Sequence, residues 1–346
     1  MILHSSLLTT SVKRATVSLF GCLLVSSFAF GQQNGSEGSS KKFETVQRSG
    51  AVDITKEYDL SGLTIPQEQI HMLVRKDGIP ALTDPKLEQA DEATWLEPHA
   101  RIIEVIVGGE VLGVPLQILD RHEIVNTRLG GEPIAITYCP LCDSATVFSR
   151  RIQAPSDTTG NGTEEKEMVL EFGVSGALYN SNVLLYDRTH LSLWSQLGMN
   201  AVSGPLVGTE LSMLPVKMVT YDQFKKNHPQ GDMVSRETGH RRNYEKAAYG
   251  DYFKSDRIIV PILGIGDALP RKTLGVGIVA GKEAYFITQE AIGAEGYVLE
   301  TALGTVKLAK TDAGIVVQDK PADVRAAQSF YYSWSAFYPE TRVVSK

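Results

Sequence analysis

The chain has 346 residues, of which 42% are hydrophobic and 21% are charged, and its formal net charge at pH 7 is -6. This composition provides enough apolar material for a sizeable core and excludes an intrinsically disordered chain. The negative net charge, with no offsetting cluster of Lys and Arg, argues against a nucleic-acid-binding protein.

The first predicted element is a signal peptide at residues 1–31. Lys13 and Arg14 precede an apolar run over residues 15–30, which is short for a membrane span and ends in small residues. We therefore expect cleavage after Gly31 and an extracytoplasmic location, either periplasmic or secreted.

Lipid anchoring is the alternative for this N-terminal segment, because Cys22 lies inside the apolar run. The bulky Phe20 and the apolar residues that continue beyond Cys22 are unlike a lipoprotein cleavage site. We therefore favour a cleaved signal over a lipid anchor at Cys22.

Two further segments follow the signal. Residues 32–56 are predicted to be a flexible polar leader, because their first part is rich in Gly, Ser, Gln and Asn. Residues 57–346 are predicted to form one β-rich domain. No second apolar stretch approaches the length of a membrane span, so we expect no transmembrane segment beyond the signal.

Short β-type runs separated by Gly, Pro, Asn and Asp dominate the sequence after residue 57. Residues 102–107 and 111–116, joined by Gly108 and Gly109, predict a hairpin. Further strands are predicted at residues 133–138, 146–150, 168–172, 182–186, 258–261, 275–279, 284–287, 305–308 and 314–317.

Few helices are predicted. Residues 221–227 follow a capping-box pattern that begins at Thr220, and residues 90–96 are a second short candidate. The sequence has neither a βαβ rhythm nor a fixed-period repeat. We therefore predict a mainly β fold with a few short helices, α+β at most, resembling a sandwich or barrel with long loops.

Cys139 and Cys142 are the only thiols that remain once the signal is removed. A Cys-x-x-Cys spacing brings two sulfurs within reach of one soft metal ion or of each other. The preceding strand should end at Cys139, and Pro140 should turn the chain. The residues after Cys142 favour a turn and a strand, so a thioredoxin-like helix is not expected there.

His122 and Glu123 are the candidate partners of the thiols. If their segment pairs with the strand that leads to Cys139, His122 could complete an open zinc site, whereas two thiolates alone would suit Cu(I). Glu123 could then support a ligand or accept a proton, and with Cys139 and Cys142 it is a catalytic candidate. The alternative is that His122 and Glu123 only bind loop backbone.

A polar, glycine-containing segment supplies the candidate ligand-binding residues Ser175, Asn180 and Ser181. Their hydroxyl and amide groups could orient a small ligand or a metal-bound oxygen. The alternative is that they close a turn without a ligand.

Tyr244, Tyr249 and Tyr252 are interleaved with basic residues that include Arg241 and Arg242. This pattern could form an aromatic rim around a sugar or a peptide. Equally, it could be a loop that packs on the sheet surface.

An ordered set of motifs lies between about residues 70 and 342. The motifs are Asp77-Gly78-Ile79-Pro80-Ala81, His122-Glu123-Ile124-Val125-Asn126, Gly130-Gly131, Tyr138-Cys139-Pro140-Leu141-Cys142, Phe172-Gly173-Val174-Ser175-Gly176, Tyr179-Asn180-Ser181, Tyr186-Asp187-Arg188 and Ser192-Leu193-Trp194-Ser195-Gln196. This set resembles the bacterial and archaeal family designated domain of unknown function 3179, whose members are exported and carry a Tyr-Cys-Pro-Leu-Cys motif. The resemblance implies no established reaction.

Three function classes remain open on the sequence. The first, which the β-rich setting and the nearby His122 favour, is a zinc- or copper-binding protein or metalloenzyme that uses Cys139 and Cys142. The second is an extracytoplasmic thiol/disulfide redox protein. The third is a non-catalytic ligand-binding or structural module with a static disulfide.

Overall fold

The computed structural model describes residues 53–153, 167–245, 248–262 and 264–346. The predicted signal and all of the predicted leader before residue 53 lie outside these ranges. A short helix, Ile54–Glu57, buries Ile54, so the packed structure includes residues just before position 57. No helix in the described ranges is long and apolar enough to cross a membrane.

Strands make up 42% of the structure and helices 13%, which confirms the predicted mainly β fold. None of the sheets formed by the described residues closes into a barrel. In chain order the strands are β1 (Ile70–Met72), β2 (Leu82–Thr83), β3 (Leu87–Gln89), β4 (Arg101–Val107), β5 (Glu110–Pro115), β6 (Ile124–Leu129), β7 (Glu132–Cys139), β8 (Ser144–Ser149), β9 (Arg151–Gln153), β10 (Glu167–Val169), β11 (Phe172–Tyr179), β12 (Asn182–Asp187), β13 (Leu193–Ser195), β14 (Asn200–Ala201), β15 (Met213–Leu214), β16 (Lys217–Thr220), β17 (Asp232–Val234), β18 (Leu274–Ala280), β19 (Glu283–Thr288), β20 (Tyr297–Thr301), β21 (Gly304–Lys310), β22 (Ile315–Asp319), β23 (Arg325–Phe330) and β24 (Arg342–Val344).

The helices are short. Those of the described ranges are α1 (Ile54–Glu57), α2 (Leu116–His122), α3 (Tyr221–Asn227), α4 (Gly250–Phe253) and α5 (Tyr331–Phe337), with 3-10 turns at Gln67–Gln69 and Gln289–Ala291. Helix α3 has the predicted capping box between Thr220 and Gln223. Helix α2 was not predicted.

Two sequence predictions are wrong. Residues 90–96 form turns, because the amides of Ala90 and Asp91 donate to carbonyls of residues 231 and 229 instead of closing helical bonds. Residues 258–261 form no strand. Their apolar side chains, with Val260 fully buried, pack against the main core without sheet pairing.

The described strands form five sheets, and two of them carry the residues discussed below. One has the order β15-β8-β7-β6-β2, and the other has the order β1-β11-β12-β13-β14. The predicted hairpin of β4 and β5 belongs to an eight-stranded sheet, β20-β21-β22-β16-β4-β5-β17-β3. The remaining sheets are β23-β18-β19-β24 and the β10-β9 pair.

One large hydrophobic cluster joins the first two sheets and helix α5. It contains Phe172 of β11, Trp194 of β13 and Trp334 of α5, all with no exposed surface. Cys139 and Cys142 belong to the same cluster. The Cys-x-x-Cys segment therefore lies inside the protein.

Candidate functional site

The cysteines lie in a tight hairpin, as the sequence predicted. Strand β7 ends at Cys139, β8 begins at Ser144, and these two residues pair across the ladder. Asp143 in the turn has a φ of 49°, and its carboxylate accepts both guanidinium bonds of Arg101, at 2.9 and 3.1 Å. The Tyr138 hydroxyl donates to the same carboxylate at 2.8 Å. The turn is thereby held from two sides.

Both thiols are free, and both cysteines are completely buried. The Cys142 sulfur lies 3.1 Å from Nδ2 of Asn182 and 3.2 Å from Oγ of Ser144. Because Oδ1 of Asn182 accepts the Leu197 amide at 3.1 Å, the amide orientation is fixed with Nδ2 towards the sulfur. Asn182 therefore donates both to Cys142 and to the neighbouring Gln196.

Gln196 holds this donor set in place. Its Oε1 accepts from Ser144 Oγ at 2.6 Å and from Asn182 Nδ2 at 2.7 Å, and its Nε2 donates to Thr137 Oγ1 at 2.9 Å. When Cys142 is a thiol, its S–H can donate to Ser144. When Cys142 is a thiolate, the Ser144 hydroxyl can turn to the sulfur while Gln196 keeps its bond from Asn182. The network thus satisfies both protonation states.

The two thiols differ in acidity. Burial opposes ionisation of Cys142, but hydrogen bonds from Cys139, Ser144, Asn182 and Ser333 outweigh it and hold the pKa of Cys142 below its ordinary value. Burial and the neighbouring Cys142 raise the pKa of Cys139 well above its ordinary value. Cys142 is consequently the more acidic thiol of the pair.

Glu123 lies beside the thiols at the end of α2. It caps the helix in the left-handed conformation, with a φ of 57°, and its amide donates to the Leu119 carbonyl at 2.7 Å. The Glu123 carbonyl accepts the Tyr138 amide at 2.8 Å, which fixes the residue next to the hairpin. Burial, then the charges of Cys142 and Asp120, raises the pKa of the Glu123 carboxyl to about 8.

One buried polar atom beside the sulfurs, Oγ of the fully buried Ser181, lacks a partner in the described part of the chain. Cys139 donates weakly to the Ser181 carbonyl at 3.6 Å. The pKa of Tyr249 is raised by burial and then by the charge of Glu123, which puts its hydroxyl near the same groups. An unpaired buried polar group costs stability, so the Ser181 hydroxyl is available to a small reactant.

Tyrosine side chains cover the hairpin. Tyr332 of α5 donates to the Leu141 carbonyl at 2.5 Å, and its oxygen lies 3.0 Å from the Tyr252 hydroxyl. The Lys272 ammonium lies 3.4 Å from the centre of the Tyr252 ring and donates to the Tyr252 carbonyl at 2.5 Å. Tyr252, in helix α4, therefore packs against Tyr332 within the core cluster that contains the two cysteines.

His122 makes its hydrogen bonds away from the two cysteines. Its Nδ1 lies 2.7 Å from the Pro80 carbonyl oxygen, and its Nε2 lies 2.7 Å from the Tyr244 hydroxyl. Burial, with the charges of His240 and Arg242, lowers its pKa to about 4. Both ring nitrogens are thus engaged, and the structure does not bring His122 to the cysteines as a third ligand. Within the described ranges, no three His, Cys, Asp or Glu residues form a group that could hold a metal ion.

The three candidate ligand-binding residues also do not all lie beside the cysteines. The Ser175 hydroxyl donates to the Leu184 carbonyl and accepts the Ala177 amide at 3.0 Å, so backbone occupies it. Asn180 and Ser181 form the two-residue turn between β11 and β12, with φ values of 50° and 60°. Only Ser181 meets the cysteines.

Sequence reasoning missed most of the groups that surround the sulfurs. The donors Ser144, Asn182, Gln196 and Ser333, and the covering Tyr332, come from four segments far apart in the chain. The available signal was a polar side chain within an otherwise apolar strand or helix, as at Asn182. That signal indicates a buried polar network without saying what it surrounds.

The comparisons with known proteins agree with the resemblance read from the motifs. The family model described as "Protein of unknown function (DUF3179)" matches residues 76–322, which is more than half of the chain. No curated protein and no solved structure matches it. The chain therefore belongs to the DUF3179 family of proteins of unknown function.

Proposed function

We propose that Cys139 and Cys142 form a thiol/disulfide redox couple in an extracytoplasmic compartment. Cys142 is the attacking thiolate, Cys139 is the resolving thiol, and Glu123 carries the proton. The observation that carries this proposal is the set of donors aimed at Cys142, which lowers the pKa of one buried thiol while that of its neighbour is raised. Split acidity of this kind is what a dithiol couple requires.

The reaction needs an oxidant, which we infer to be a disulfide compound. The Cys142 thiolate attacks one sulfur of that disulfide, which forms a mixed disulfide and releases the other sulfur as a thiolate. Cys139 then loses its proton and attacks the Cys142 sulfur, which releases the second thiolate. Two electrons pass to the disulfide, and the Cys139–Cys142 bond forms.

Glu123 suits the proton transfer because its acidity depends on the reaction. While Cys142 is a thiolate, its charge helps to hold the pKa of Glu123 at about 8. Once Cys142 is in a mixed disulfide, that charge is gone and Glu123 ionises more readily. The new carboxylate can then accept the Cys139 proton. In the reverse direction, the protonated Glu123 returns this proton to Cys139.

The metal-binding function favoured on the sequence receives less support. A zinc site needs further ligands, and His122 is bound to Pro80 and Tyr244. A Cu(I) ion held by two thiolates needs no further ligand, and its binding would itself remove both thiol protons. Bound metal is accordingly an outcome that the following experiment must distinguish.

The experiment is a redox titration of the mature protein in buffers of oxidised and reduced glutathione, with metal content measured in parallel. We expect one intramolecular disulfide that forms and breaks reversibly, and its loss in Cys139→Ser and Cys142→Ser. The matched variant Glu123→Gln should form the bond more slowly, because it lacks the proton acceptor. Stoichiometric zinc or copper that protects both thiols would refute the proposal. A bond that resists reduction across the titration would refute it too and would favour a static disulfide.

A further inference from the structure

A basic cavity is lined in part by Tyr244, which bonds to Nε2 of His122, the ring nitrogen that does not face Pro80. It has a volume of about 620 Å³ and is lined mainly by residues 236–245 together with Trp95. Arg236, His240, Arg241 and Arg242 all contribute to its wall. This concentration of basic side chains contrasts with the net charge of -6 for the whole chain.

The arginines of this cavity are not neutralised by the protein. No ion pair involves Arg236, Arg241 or Arg242 among the described residues, and Arg242 donates only to the Arg241 carbonyl, at 3.3 Å. Two carboxylates also line the cavity, but Glu237 is paired with Lys86 at 2.5 Å, which leaves Glu245. The wall therefore carries an excess of positive charge with free donors.

The floor of the cavity is rigid. Tyr244 is buried, and its hydroxyl lies 2.6 Å from Thr238 Oγ1 and 2.7 Å from His122 Nε2. Because the Pro80 carbonyl can only accept, His122 donates from Nδ1 and accepts at Nε2. The bonds then run in one direction, from Thr238 through Tyr244 and His122 to Pro80. Trp95 is fixed as well, because its indole N–H donates to Glu88 at 2.9 Å.

We propose that this cavity binds a small molecule with two or more phosphate or carboxylate groups. Guanidinium groups bind such oxyanions through paired, charge-assisted hydrogen bonds. Several arginines that line one cavity above a hydrogen-bonded floor favour a multivalent anion over a monovalent one. This inference does not depend on the redox proposal, because none of its residues contacts a cysteine sulfur.

Binding can be measured by calorimetry and by tryptophan fluorescence. Trp95 lines the cavity, whereas Trp194 and Trp334 have no exposed surface, so a ligand-dependent signal should come from Trp95. The probes are pyrophosphate and citrate, with acetate as the monovalent comparison. We expect saturable binding of pyrophosphate or citrate, and a bound anion should also raise the pH at which the His122 NMR signal titrates, because it offsets the charges of His240 and Arg242.

The test variant is Arg241→Ala with Arg242→Ala, and the control is Arg271→Ala, an exposed arginine outside the cavity. The double variant should weaken binding about tenfold or more, as expected for lost charge-assisted bonds. The control should bind as the wild type does. Because these side chains are exposed, all variants should fold, which circular dichroism can verify. The proposal is overturned if neither pyrophosphate nor citrate saturates, if acetate binds equally well, or if Arg271→Ala weakens binding as much as the double variant.

Discussion

Replacing Glu123 by Gln should make the protein more stable above neutral pH. The pKa of Glu123 is 4.5 in an ordinary environment and about 8 in the folded protein, so the native state keeps a proton that the unfolded chain loses. This contribution to stability is fully present below pH 4.5 and is lost as the pH rises to about 8. Each pH unit in that window lowers the free energy of unfolding by about 1.4 kcal/mol. The wild type should therefore lose about 3 kcal/mol of unfolding free energy by pH 7.

The Gln side chain has nearly the same volume and does not titrate. The difference in unfolding free energy between Glu123→Gln and the wild type should therefore grow steadily from pH 5 to pH 8. Urea unfolding followed by tryptophan fluorescence, with reductant present to keep both thiols free, measures this difference. Glu290→Gln, at an exposed position, is the control and should show no such slope.

The charge of Cys142 is the second cause of the raised Glu123 pKa. In a Cys142→Ser background, the slope produced by Glu123→Gln should therefore be smaller. If the curves of the wild type and Glu123→Gln run parallel from pH 5 to pH 8, Glu123 ionises normally in the folded protein. The proton-transfer role would then lose its physical basis.

Three other predictions follow from particular contacts. Asn182→Ala should raise the pKa of Cys142 by about one to two pH units, because a hydrogen bond to a charged group contributes about 1.5–3 kcal/mol. The ultraviolet absorbance of the thiolate during a pH titration measures this pKa. Asp143→Asn should lower the free energy of unfolding, measured in urea, by about 2 kcal/mol. This is less than the loss of a fully buried ion pair would cost, because its partner Arg101 is partly exposed. Gly277→Ala should cost about 1–3 kcal/mol in the same assay, because the new methyl group meets the Trp334 indole in the core.

The parts of the fold that depend on local chemistry were predictable. Glycine pairs mark the tips of the β4–β5 and β6–β7 hairpins, and the Thr220 capping box marks the start of α3. Helix α2 was missed because its first residues extend the apolar run of β5 and its start at Pro115 has no side-chain cap. Tertiary packing of its apolar face decides its conformation, and a local pattern does not reveal that.

The candidate site was predictable only in part. The hairpin position of Cys139 and Cys142 follows from the strand that precedes them and from Pro140. The donor Asn182 lies 40 residues from Cys142 in the chain, so only the pairing of whole sheets brings them together. His122 was a candidate neighbour of the thiols on condition that its segment paired with the strand that leads to Cys139. Strand β6 does pair with β7, but His122 precedes β6 at the end of α2 and bonds to Pro80 and Tyr244.

Backbone conformation gives an independent reason to treat the thiol pair as a functional site. Eight non-glycine residues of the described ranges have a positive φ, and three of them, Glu123, Asp143 and Ser181, lie next to the two cysteines. Asn and Asp tolerate this conformation well, but Glu and Ser in it cost about 1 kcal/mol or more each. A static disulfide would gain nothing from that strain. In the proposed redox couple, the cap of α2 and the β11–β12 turn would place the Glu123 carboxyl and the Ser181 hydroxyl beside the sulfurs.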